Sequence, residues 1–232
     1  MLILGISTSD RLCSAALWRD GDVLARTSFD GAGVCLEVLA PRVSSLMRDN
    51  GVGFADLDCI ATDVGPGGMT GLKIGVVTAR TLAQAFERPV ASVSALRAVA
   101  AGVSEPAGLC LAAVVCSAAE IYYALFRIEN GALPVRLTPD AMGVAADAAR
   151  LAREQGERFT ITGGAAPRVI ELLEKDSVTF SVAPESSWPP DAAHVCRIAA
   201  TLPHTHWSEL QANYLCLTTA ERNLAKKQDA AT

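Results

Sequence analysis

The chain has 232 residues, enough for one large domain or two small ones, and half of them are hydrophobic, with a mean hydropathy of +0.29. The net charge of -5 leaves no basic stripe of the kind that direct, strong binding to RNA or DNA needs; the nearest approach is Lys226-Lys227, read as part of a solvated tail. The longest apolar run, Leu109 to Cys116, is too short for a bilayer, and the start lacks a basic region and a cleavage site. Seven cysteines without a CxxC pair, with Cys13, Cys59, Cys110 and Cys116 inside apolar runs, read as small buried hydrophobes of a reducing, cytoplasmic protein with no membrane contact.

In chain order, Leu2 to Ile6, Cys13 to Trp18 and Val23 to Phe29 are predicted strands, and Asp20-Gly21 is a two-residue hairpin turn. A helix follows over Leu36 to Asn50, with Leu36, Leu39, Val43, Leu46 and Met47 on one face and Asn50-Gly51 as its stop. Pro41 inside it predicts a late start or a kink. After a strand over Leu57 to Val64 comes a helix from about Leu72 to Phe86, ending before Pro89. Its only long polar side chains, Lys73, Arg80 and Gln84, form one narrow stripe, which predicts that the other half or another protein covers the rest.

The same order returns with strands over Leu109 to Cys116 and Ile121 to Ile128. A hairpin at Asn130-Gly131, a short strand through Val135 and Leu137, a helix over Asp140 to Gln155 and a strand over Phe159 to Thr162 follow. Two copies of one α/β unit are therefore expected, with mixed sheets flanked by helices in a ribonuclease-H-like duplication. The expected division is 1–106 and 107–220, with a boundary near Glu105-Pro106-Ala107-Gly108, and a flexible tail over 221–232.

Between the fourth strand and the apolar helix stand Gly65, Pro66, Gly67, Gly68, Met69, Thr70 and Gly71, then Leu72 and Lys73. Such a loop allows close backbone approach and reads either as a structural turn or as an anion cradle at a helix start. Neither the P-loop spacing nor GxGxxG is present.

These residues, continued through Ile74-Gly75, resemble the GPGSFTGxRIG signature of the TsaB (YeaZ-like) and TsaD families. The opening Ile3-Leu4-Gly5-Ile6-Ser7-Thr8-Ser9 is similar to the ILxIDTS of that group, Val93-Ser94-Ala95-Leu96 to its VSTL segment, and Glu120-Ile121-Tyr122 to its EVY. Over roughly residues 1 to 100, and by its length, the chain is identified as a member of the short TsaB branch. The resemblance implies the actin and sugar-kinase superfamily fold. Departures fall on charged positions. Ser7 replaces the opening aspartate, Val115 and Ser117 replace the Asp and Arg of DARxxEVY, Cys35 stands at a frequent histidine, and Tyr214-Leu215-Cys216 replaces YLR.

No catalytic residue, metal site or cofactor is expected. A hydroxyl at position 7 is a poor Mg²⁺ ligand, His204-x-His206 lacks a third ligand, His194 reads as packed on a helix, and there is no GxSxG elbow. The resemblance implies a non-catalytic partner of the TsaD-type enzyme in forming threonylcarbamoyladenosine in tRNA, with a TsaE-type ATPase joining. In that family the first-domain helices form the pairing surface, which selects Leu36, Leu39, Val43, Val76, Ala79, Arg80 and Ala83, with Gly75 and Ala79 small enough for close helix approach. The alternatives are a self-associating paralogue using the same helices as a homodimer, and an active ATPase or kinase of the same fold.

Overall fold

The computed structural model describes residues 1–104, 107–175 and 178–216. The tail over 221–232 and Glu105-Pro106 of the expected boundary lie outside the described residues.

Five strands form the first sheet: β1 (Leu2–Ser7), β2 (Leu12–Arg19), β3 (Asp22–Asp30), β4 (Cys59–Asp63) and β5 (Val90–Val93), ordered β3-β2-β1-β4-β5. β1 runs antiparallel to β2 and parallel to β4, and β4 is parallel to β5. The β2–β3 turn is the Asp20-Gly21 hairpin, both residues having positive φ. Helix α1 (Cys35–Asp49) precedes β4, and α2 (Met69–Ala85) and α3 (Ala95–Ala100) follow β4 and β5.

The second sheet holds β6 (Gly108–Val115), β7 (Ile121–Ile128), β8 (Val135–Arg136), β10 (Phe159–Thr162) and β11 (Phe180–Val182), with β9 (Ala141–Gly143) paired to the far end of β7. Its order β8-β7-β6-β10-β11 and its strand directions repeat those of the first sheet, so the chain is a tandem duplication of one ribonuclease-H-like α/β unit. Helices α4 (Ala145–Arg153) and α5 (Ala166–Leu173) flank β10, and α6 (Ala192–Ala199) follows β11.

The helices are exchanged between the two sheets. α1 and α2 cover one face of the first sheet, packing Leu39, Val43, Val76, Ala79 and Ala83 onto Leu4, Ile6 and Ile60. The opposite face, with Ile3, Ala16 and Ala61, is covered by Ala192, Val195 and Ile198 of α6, which follows the second sheet in sequence. Conversely, α3 follows the first sheet and seals the second through Leu96, Val99 and Ala100 against Cys110, Ala112 and Phe126. Five layers result: α1 and α2, the first sheet, α6 with α3, the second sheet, then α4 and α5.

Several local expectations are corrected. α1 does not start late: it begins at Cys35 and contains Pro41, which is exposed, so the missing N–H falls on the wet side of the helix. The β7–β8 connection is longer than a two-residue hairpin, since Arg127 pairs with Val135. The helix expected from Asp140 begins at Ala145, because Ala141–Gly143 is drawn into β9 beside Tyr122 and Tyr123. The second half covers α2 only in part: its turn at Trp207–Glu209 packs on the helix beside α1 and β4, while Val77 stays 60% exposed. Among the described residues no helix is long and apolar enough to cross a membrane.

Candidate functional site

The end of β1, the glycine turn and the start of α2 meet at one side of a cleft of about 860 Å³ between the two sheets. Thr8, Ser9, Gly68, Met69, Thr70, Gly71 and Ile74 form one wall, the loop from Gly31 to Leu36 another, and Val114, Val115 and Gly164 of the second half face them.

Beneath this wall lies Asp63, the last residue of β4, with no exposed surface. It accepts hydrogen bonds from the hydroxyls of Ser7 (2.7 Å) and Ser9 (2.6 Å) and from the Thr8 backbone N–H (3.2 Å). Burial pushes its carboxyl above the ordinary carboxylate range, and the hydrogen bonds from Ser9, Ser7 and Thr8 pull against that shift. The charged site was expected to have lost its carboxylate at position 7. In the structure a carboxylate is present, supplied by the neighbouring parallel strand and sealed from the cleft.

The glycines of the turn serve close packing. A Cβ on Gly67 would overlap the Ser9 carbonyl, one on Gly71 the Thr8 carbonyl, and one on Gly75 the Thr8 hydroxyl. These positions recur every four residues along the helix start, so α2 lies flat against the end of β1. Thr8 Oγ1 donates to the Gly71 carbonyl at 2.9 Å, and the Gly68 N–H donates to the Ser9 carbonyl at 2.7 Å. Gly65, at φ +103, leaves no room for a side chain beside Leu72. Pro66, Met69 and Thr70 line the cleft, whereas Lys73 points away, over the ring of Tyr214.

The residues chosen as a pairing surface separate into two groups. Leu39, Val43, Val76, Ala79 and Ala83 are 7% exposed or less and belong to this chain's own core, so they are corrected from interface to core. Sequence periodicity marks the apolar face of a helix, and that face packs first on its own sheet. Gly75, likewise, approaches Thr8 rather than a partner helix. Leu36 and Arg80 are exposed, and with them Ala40, Val77 and Thr81, which the sequence reading passed over.

The histidines are engaged locally. His206 Nδ1 meets Ser208 Oγ at 2.7 Å and His204 Nε2 meets the Ala199 carbonyl at 3.2 Å, so neither is simply solvated. Among the described residues no group of three His, Cys, Asp or Glu is arranged to hold a metal ion. Val115 and Ser117 lie at the end of β6 and in its turn, where Arg168 of α5 donates to the Ser117 carbonyl at 2.7 Å.

A duplicated ribonuclease-H-like protein, with a glycine turn packed on its first strand and a cleft between the sheets, is the class these features define. A family model described as "TsaD: tRNA N6-adenosine threonylcarbamoyltransferase" matches residues 35–183. The Bacillus subtilis tRNA threonylcarbamoyladenosine biosynthesis protein TsaB is 31% identical over 164 residues, 70% of this chain and 71% of that protein. The Escherichia coli TsaB is 36% identical over 134 residues, 56% of this chain and 58% of that one, so the match spans little more than half of that relative. The solved structure of YeaZ from Pseudomonas aeruginosa superposes with a TM-score of 0.74 at 23% identity, over 92% of this chain and 99% of YeaZ, and shares its fold. The chain belongs to the TsaB (YeaZ-like) family.

Proposed function

We propose that this chain is a non-catalytic partner of a TsaD-type enzyme in the formation of threonylcarbamoyladenosine in tRNA, with a TsaE-type ATPase as a further component. The observation that carries the docking part is the outer face of α1 and α2. These helices pack side by side and present Leu36, 74% exposed, and Val77, 60% exposed, beside Ala40, Thr81 and Arg80. An apolar face of small and branched side chains, left open by its own second half, is suited to another protein rather than to RNA. The non-catalytic part is supported by Ser7 in place of the family aspartate and by the sealing of Asp63 away from the cleft. The division into a partner-binding unit, residues 1–106, and a second unit, 107–220, is part of the same proposal.

The test is co-purification with the TsaD-type protein of the same organism, followed by light scattering. A one-to-one complex is expected, weakened about 10–100-fold by Leu36→Asp or Val77→Asp with little change in thermal midpoint, since each puts an unpaired charge into an interface. Ala79→Glu would instead disrupt the fold, because Ala79 is inside the core. A persistent homodimer without binding to the enzyme would replace this reading with self-association through the same helices.

A further inference from the structure

The chain carries seven cysteines, and their surroundings differ. Cys59, Cys110 and Cys196 are wedged into the cores and burial pushes them far up, Cys59 and Cys110 to about 12. Cys13 of β2 and Cys35, the first residue of α1, are buried as well, but at the cleft wall and against each other. Their sulfurs lie 3.6 Å apart, with the Cys13 thiol donating to Cys35 Sγ, and both residues line the cleft between the sheets. Gly31 makes this arrangement possible, since a Cβ there would overlap the Cys13 sulfur. Two sulfurs in mutual contact, on separate elements and at the wall of an open cleft, need to close by about 1.5 Å to reach a disulfide length.

We propose that Cys13 and Cys35 form a reversible disulfide, made by exchange with a low-molecular-weight disulfide such as oxidised glutathione. Cys35 is the attacking sulfur. It stands at the N-terminus of a 15-residue helix, whose dipole favours a thiolate, and it accepts the hydrogen bond of Cys13. Burial raises both thiols, but for Cys35 that hydrogen bond pulls the other way, whereas for Cys13 it adds to the rise. In the first step the Cys35 thiol gives up its proton and its sulfur bonds to one sulfur of the small disulfide, expelling one small thiol, which takes up a proton. In the second, Cys13 loses its proton and attacks Cys35 Sγ, expelling the second small thiol. Two protein thiols are oxidised and one small disulfide is reduced to two thiols. The product ties the first turn of α1 to β2 and pins the loop from Gly31 to Val34 that walls the cleft.

The test is titration of the reduced, full-length chain with glutathione buffers of graded oxidation, read by intact mass and peptide mapping. The expected product is lighter by about 2 Da, the two hydrogens lost in closing one disulfide. After trypsin, residues 12–19 should be joined to residues 27–42, and dithiothreitol should reverse the join. Cys13→Ser should stop at the first step, with one glutathione held on Cys35, and Cys35→Ser should take none at Cys13. Retention of all seven thiols by the folded wild-type chain, in a buffer that oxidises the urea-unfolded chain, would overturn the proposal. So would a crosslink confined to other cysteines of the chain. Because the wild-type map decides the matter, poor folding of either variant leaves the test intact.

Discussion

Asp63 shows what a motif comparison sees and what it misses. Ser7, Thr8 and Ser9 are legible in the sequence as a polar cluster at a strand end, and Ser7 as the loss of a carboxylate. Asp63 closes an apolar run, yet its role depends on the pairing of strands more than fifty residues apart. Parallel pairing of Ile6 with Thr62 sets Ser7 beside Asp63, and that register is not written locally in either segment. Burial outweighs the hydroxyl and amide donors around Asp63, so its folded pKa lies above the unfolded value. Below about pH 4 the carboxyl is protonated in both states; above it the unfolded chain releases the proton first, and this site's contribution to stability is lost as pH rises through the folded pKa. Asp63→Asn should remove that loss. Urea midpoints of variant and wild type are expected to diverge in the variant's favour between pH 4 and pH 8. A gap that closes or reverses over that range would show that the carboxylate is held ionised by its donors.

Helices and strands with strong periodicity are readable from the sequence, and their faces are not. Leu39 and Val43 of α1, and Ala79 of α2, each lie on a periodic face whether that face meets a sheet or a partner, and only the assembled sheet shows which. Leu36, in the same periodic series but in the first turn of α1, and Val77, beside the buried Val76 of α2, carry the exposed apolar surface. The glycine turn is similar: its punctuation is visible, but its meaning as a helix-to-strand contact rests on Thr8, some sixty residues earlier. Gly75→Ala tests that meaning. The added methyl would overlap Thr8 Oγ1, which is itself held by the Gly71 carbonyl at 2.9 Å, so neither group yields easily. Overpacking of this kind costs about 1–3 kcal/mol, and chemical denaturation should show a loss in that range. Thr8→Ala in the same chain should recover part of it, the two changes coupling because they meet at one point. Full additivity of the two losses would mean that α2 shifts away from β1 instead.

At the scale of the molecule, the repeated order of strands is legible because each unit repeats the same alternation of apolar runs, turns and helices. The exchange of α3 and α6 is not, since nothing in either helix names the sheet it will cover. That exchange governs stability. Ile3 and Ala61 face α6, which enters the chain only at Ala192, so the first sheet is incomplete until the end of the second unit has folded. A polar contact reinforces the join: Ser94, capping α3, donates to Asp140 at 3.0 Å and accepts from Arg136 at 2.7 Å, and Arg136 and Asp140 are themselves paired. The two units should therefore unfold together, giving one calorimetric transition whose enthalpy equals the van 't Hoff value. Ile198→Ala separates this from independent units. Ile198 is fully buried against the first sheet, and its truncation should cost about 2–5 kcal/mol. Because α3 from the first unit seals the second sheet, native-state hydrogen exchange should then speed up in β6 and β10 as well as in β1 and β4, by a common factor. Acceleration confined to β1 and β4 would mean that the second unit holds together without the first, and that the exchanged helices are a packing detail rather than the bond between the halves.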